Sequence, residues 1–329
     1  MTQQSALEYL AHGQTPFFRL PQASASGPLP LGTRAVFLGV PFDGGATYHP
    51  GARFGPFHVR RVSALLQGYH PGHRVEVFER APAVDGGNVV FPPFQPQAMR
   101  DRVEAQVGRV LAAGAVPFLV GGDHSIALPA LRAAARVYGP LAVVHVDAHF
   151  DKSGPEVWGE RFHHGTPFRH ALDEALVLPG QLHQVGIRGP QGRADEDGPG
   201  AEHDGRVVSA FDLSERGVTA VAAEIRRAVG DRPLYLSFDV DAVDPAFAPG
   251  TGTPVPGGLT SREAIALLGG LAGVRLVGMD VVEVCPALDH ADHTSLLAAH
   301  LLFEGLALVA VAAPRELAAA RASVSCAGA

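Results

Sequence analysis

Three apolar runs in this chain end in polar clusters of one kind. Leu141–Val146 leads into Asp147-Ala148-His149-Phe150-Asp151. Pro233–Phe238 leads into Asp239-Val240-Asp241-Ala242-Val243-Asp244, and Val116–Val120 leads into Gly121-Gly122-Asp123-His124-Ser125. Short continuous apolar runs read as strands buried on both faces, the mark of a parallel sheet. Such sheets place their sites just beyond the carboxyl ends of the strands. Carboxylates at a buried strand end lose hydration, and cations offset that cost best. Asp and His alternating at i, i+2 and i+4 project to one side of an extended chain. The paired glycines permit a tight strand-to-helix turn that leaves His124 at the strand end.

The candidate metal ligands are therefore His124, Asp147, His149, Asp151, Asp239 and Asp241. An oxygen-rich set with two imidazoles suits Mn²⁺ or a similar divalent ion. The carboxylates exceed what one divalent ion needs, so two ions per chain sharing a bridging carboxylate are expected. A lone Asp-x-Asp is usually a solvated turn, and a lone Gly-Gly-Asp-His-Ser can be a helix start capped by Asp123 or Ser125. Three such strand ends in one chain argue against both. Asp123 and Asp244 are read as groups that orient ligands, and His145 and His300 as residues packing in or near the core.

Strands are expected near 34–40, 76–81, 116–120, 141–146, 182–187, 206–209, 233–238 and 275–281. Helical spacing marks 55–67, 98–113, 125–138, 217–229, 260–272 and 292–312. Their alternation predicts an α/β fold, a three-layer α/β/α sandwich around a mostly parallel eight-stranded sheet. Residues 1–30 are rich in Ser, Gly and Pro and read as an arm, with the apolar patch at Phe17 and Phe18 offering a contact to a neighbouring subunit. Residues 31–315 form one catalytic domain, because the motifs run through it and must converge. Residues 316–329 are a tail. The stretch 189–205 reads as a long loop.

With 47% hydrophobic residues the chain can bury a large core. A net charge of −7 argues against a nucleic-acid-binding surface. No run of 18 or more apolar residues appears and the N-terminus lacks a basic and apolar leader, so no membrane partner and a cytoplasmic location are expected. Cys285 and Cys326 lack metal-ligand spacing and form no disulfide framework. Lys152 is the single lysine.

Taken together the motifs resemble the ureohydrolases, the family of arginase and agmatinase. The matching residues are Gly121–Ser125, Asp147–Asp151, His164-Gly165-Thr166-Pro167-Phe168, Ser237–Asp241, Asp244-Pro245, Ala248–Pro254, Gly257-Gly258-Leu259 and Asp280-Val281-Val282-Glu283-Val284. The likeness runs from about residue 14 to about residue 312. Tyr48–Pro56, and the absence of a Ser/Asn-rich loop after Asp151, look like the agmatinase branch.

The resemblance implies hydrolysis of a small guanidino substrate to urea and an amine, with two Mn²⁺ ions per chain. Such ions lower the pKa of bridging water toward neutrality. Asp151 is then placed to orient the nucleophile, and His164 to give a proton to the departing amine. Glu283 would grip the guanidinium through paired hydrogen bonds. The expected substrate is agmatine. A carboxylate-bearing compound is the alternative, as for guanidinobutyrase or proclavaminate amidinohydrolase, which Arg161–His170 resembles. A single-zinc deacetylase-like amidohydrolase is the rival of another class, and the presence of His124 argues against it. A non-catalytic homologue would have lost a ligand. The family also implies a homo-oligomer, a trimer or hexamer.

Overall fold

The structure is a computed structural model that describes residues 16–23, 27–191 and 204–312. The tail at 316–329 and most of the loop at 189–205 lie outside the described residues. Among the described residues there are ten strands: β1 Ala35–Val40, β2 Tyr69–His70, β3 Val75–Glu76, β4 Ala83–Asn88, β5 Val116–Gly121, β6 Leu141–Val146, β7 Val177–Ile187, β8 Gly205–Ser209, β9 Pro233–Asp239 and β10 Arg275–Val282. Eight of them form one sheet in the order β4-β1-β5-β10-β9-β6-β7-β8. Every neighbouring pair in that sheet is parallel.

Helices cover both faces, as an all-parallel sheet requires. Alternation along β5 shows how one strand serves both. Phe118 and Val120 join Phe37 and the helix His293–Val311 on one face, while Leu119 joins Leu131 and Val282 on the other. The helix His293–Val311 is long and apolar enough to cross a bilayer, but most of it is packed inside the fold.

Two expectations need correcting. The strand expected near 76–81 is not in the sheet. Val75–Glu76 closes a small antiparallel hairpin with Tyr69–His70, Val77–Arg80 makes a helical turn, and the edge strand is Ala83–Asn88. Asp85, Gly86 and Gly87 lower the β-propensity of that strand and hide it in the sequence. Its buried carboxylate is satisfied by Arg60 Nε at 2.8 Å and by the Phe17 N–H at 2.8 Å. The second correction concerns the arm. Phe17 and Phe18 are fully buried within their own chain, against Phe37, Phe78 and Phe303. They are core residues and leave no patch for a neighbour.

Candidate metal centre and cavity

The four central strands, β5, β10, β9 and β6, each carry candidate residues at the carboxyl end. After β5 the chain turns through Gly122 at φ +63, where a Cβ would lie 2.5 Å from the Val40 carbonyl oxygen and 2.7 Å from that of Phe42. Only glycine fits there. Asp123 caps the next turn by accepting from the Ser125 N–H, and also accepts from the Gly45 N–H at 2.7 Å. His124 is thereby buried beneath the ends of β6 and β9.

His124 Nδ1 lies 3.1 Å from Asp147 Oδ2, 2.9 Å from Asp151 Oδ2 and 3.2 Å from Asp239 Oδ2, with a hydrogen bond to none of them. On the other side of the ring, Nε2 lies 2.8 Å from Ser237 Oγ. The Ser237 hydroxyl gives its single proton to Asp280 Oδ1 at 2.6 Å, and Tyr235 donates to Asp280 Oδ2 at 2.7 Å. Ser237 must therefore accept from His124 Nε2–H. In the neutral ring that leaves a lone pair at Nδ1 facing three carboxylates, which is the arrangement a cation satisfies. A second group lies alongside. His149 Nδ1 is 3.4 Å from Asp147 Oδ1 and 3.0 Å from Asp241 Oδ2. Asp147 thus offers one oxygen to each group, as a bridging carboxylate does.

All six expected ligands converge, and they fit divalent metal. Divalent ions held there supply water acidified toward neutrality and polarise bound oxygen. The charge balance points the same way. Burial, Asp241 and Asp147 push the Asp239 carboxyl well above the ordinary range, and burial with Asp147 raises Asp241. Burial opposes charging of His124, yet Asp147, Asp151 and Asp239 hold its pKa well above the usual value.

His145 was expected in the core, and it is buried there, but it also serves the centre. Gln184 Nε2 donates to His145 Nδ1 at 2.9 Å, so His145 Nε2–H donates to Asp147 Oδ2 at 2.7 Å. His300, expected near the core, is exposed. Asp244 binds the backbone N–H groups of Ala246, Gly257 and Gly258 and shapes a loop without touching a ligating histidine. A further group, His70, His73 and Glu304, sits away from the centre. The His73 N–H donates to His70 Nδ1, leaving Nε2–H for Glu304. Those bonds account for both nitrogens of the His70 ring and leave His73 Nε2 without a hydrogen-bond partner.

His164 Nδ1 lies 2.9 Å from Glu283 Oε1, and its Nε2 lies 2.8 Å from Thr47 Oγ1. Burial lowers the His164 pKa, but the Glu283 carboxylate outweighs this and raises it to about 9. Glu283 also accepts from the His124 N–H at 2.9 Å. It is 2% exposed and lies behind His164. His163 points elsewhere, its ring centre 6.3 Å away. Thr47 gave no sequence signal, because its place depends on Asp43 and Asp123 pinning the loop around it.

The centre opens into a cavity of about 290 Å³. Beyond His149, Asp151, Asp239, Asp241 and His164, its walls include Thr47, Ser153, Val157, Trp158, Arg188, Gln191 and Thr253. Arg188 is buried, with its guanidinium held by the carbonyl oxygens of Gly186, Asp241, Ala242 and Val255.

The profile of the arginase family matches residues 33–307. The chain belongs to the arginase family. Proclavaminate amidinohydrolase of Streptomyces clavuligerus is 46% identical over 87% of this chain and 90% of its own length. The solved structure of that enzyme superposes with a TM-score of 0.85 at 45% identity, covering 91% of this chain and 98% of the other. Guanidinopropionase of Pseudomonas aeruginosa is 43% identical over 91% of this chain and 93% of its own. An agmatinase of Edwardsiella ictaluri is 44% identical over 82% and 86%. As an arginase-family member the chain is a metal-dependent hydrolase of C–N bonds in guanidino groups.

Proposed function

We propose that this chain hydrolyses a small linear guanidino compound with a carboxylate-bearing tail, releasing urea and an amine with two Mn²⁺ ions bound. The observation that carries the tail assignment is the cavity wall. Among the described lining residues outside the ligand set, the charged side chains are both cations, Arg188 and the proton-bearing His164, and Thr47, Ser153, Gln191 and Thr253 add hydrogen-bonding groups. Such a wall accommodates a carboxylate better than the ammonium of agmatine, which calls for an acidic partner. The oxygen-rich donor set with two imidazoles supports manganese.

In this reading Asp151 orients the nucleophile, and His164 gives its proton to the departing amine. A pKa of about 9 keeps His164 charged at neutral pH, ready to donate from the nitrogen facing Thr47 and the cavity. Glu283 accepts from the opposite ring nitrogen, Nδ1, which keeps the ring charged and oriented, and its carboxylate is the group the family likeness pairs with the guanidinium. We further propose a cytoplasmic trimer or hexamer, with its contacts outside the Phe17–Phe18 segment. The test is urea release by the Mn-loaded protein from 4-guanidinobutyrate, 3-guanidinopropionate, agmatine and arginine. A guanidino acid should be the best substrate by kcat/KM. Preference for agmatine would overturn the tail assignment, and no urea from any of them would overturn the whole reading.

A further inference from the structure

The single lysine of the chain follows the ligand Asp151 directly, and its side chain is buried. An ammonium taken out of water needs a partner. Lys152 Nζ lies 3.3 Å from Asp204 Oδ2, at the start of edge strand β8, and 5.3 Å from the centre of the Phe150 ring. Lys152 is also the root of a loop. The Ser153 N–H donates to the Gly165 carbonyl oxygen at 2.9 Å, drawing together the ends of the segment between them. That loop puts Ser153, Val157 and Trp158 on the cavity wall. Its second half is held, with Phe162 stacked on His170 and under Arg100, whereas its first half is lightly held, Val157 being 52% and Trp158 64% exposed. The position of that first half therefore depends on its root at Lys152.

We propose that the Lys152–Asp204 pair is a positioning device for substrate specificity, fixing the loop that presents Val157 and Trp158 to the substrate tail. The assignment of a tail rests on the function proposed above, whereas the anchoring of the loop does not. Lys152 touches neither the ligand lone pairs nor the cavity. Its effect passes through the loop, so it alters recognition of the tail more than the chemistry at the guanidinium.

Trp158 is the only tryptophan in the chain, so fluorescence reports on this loop alone. The test compares Lys152→Met, Lys152→Arg, Asp204→Asn and the Met/Asn double variant as Mn-loaded full-length protein. Trp158 anisotropy and acrylamide quenching are read first, then KM and kcat for 4-guanidinobutyrate and 3-guanidinopropionate. Lys152→Met and Asp204→Asn should each lower the anisotropy and speed quenching, and the double variant should go no further than either. KM should rise about tenfold, the loss typical of one hydrogen bond to a charged group. With uniform binding lost, kcat should stay within about threefold. Lys152→Arg should keep most of the anisotropy. Unchanged Trp158 anisotropy in both Lys152→Met and Asp204→Asn overturns the anchor. Lowered anisotropy with unchanged KM overturns the specificity role. If Lys152→Met fails to fold, Asp204→Asn carries the same comparison. If the parent protein turns over no guanidino compound, the proposed function fails and the fluorescence still decides the anchor.

Discussion

Replacing Glu283 by glutamine keeps the shape of a side chain that accepts from the His124 N–H and from His164, each at 2.9 Å, and removes its charge. In the metal-free protein His164 titrates at about 9 against an ordinary 6.5, with Glu283 the largest influence opposing burial. At about 1.4 kcal/mol per pH unit, that gap corresponds to about 3 kcal/mol of preference for the charged ring in the folded state. Because the folded pKa is raised, this stabilisation is fully present below pH 6.5 and is lost as pH rises through about 9. Glu283→Gln should therefore destabilise the metal-free protein more at pH 6 than at pH 10, as read by denaturant unfolding. An NMR titration of the His164 ring should show its pKa falling toward 6.5. Removing one partner of a buried charged hydrogen bond typically costs about 2–5 kcal/mol. In the metal-loaded enzyme urea release should fall by roughly 30-fold or more at about 1.4 kcal/mol per decade. A His164 still titrating near 9, or equal destabilisation at both pH values, would refute the reasoning.

Three other outcomes are expected. Ser237→Ala deprives His124 Nε2–H of its acceptor, so the His124 site should lose about 10- to 100-fold in metal affinity, measured by competition with a chelating dye; unchanged affinity would show that Ser237 does not set the tautomer. Phe18→Ala should cost about 3–5 kcal/mol in chemical unfolding, as for a buried aromatic ring; a drop in oligomeric state at unchanged stability would restore the arm as a subunit contact. Chelation should abolish urea release, and two equivalents of Mn²⁺ should restore it; full recovery with one equivalent would contradict the paired site.

The ligand set was legible because each strand end declares itself locally. A run such as Leu141–Val146 followed by Asp-Ala-His-Phe-Asp needs no distant residue to be read. Thr47 and Gln184 were not legible, because each matters through a partner far along the chain. Thr47 meets His164 only after Asp123 has pinned Gly45, and Gln184 acts by fixing His145. The edge strand Ala83–Asn88 was missed for another reason. Its Asp and Gly residues speak against a strand until Arg60 and Phe17 satisfy Asp85. The Phe17–Phe18 pair shows that composition describes a neighbourhood and packing decides burial. Two aromatic rings in a Pro- and Ser-rich arm read as surface, yet they close one face of the core.

The place of β10 has a consequence for biosynthesis. It lies between β5 and β9 and is the last strand of the sheet to be made. A chain emerging from the ribosome can pair β1 with β4 and β5, and β6 with β7, β8 and β9, before residue 275 exists. These two half-sheets share no edge until β10 enters and joins them. His124 sits on one half, and Asp147, Asp151 and Asp239 on the other. Completion of the His124 group is thus deferred to the end of synthesis, whereas Asp147, His149 and Asp241 already share one half, and a chain cut short before β10 has its paired centre divided between two unjoined pieces.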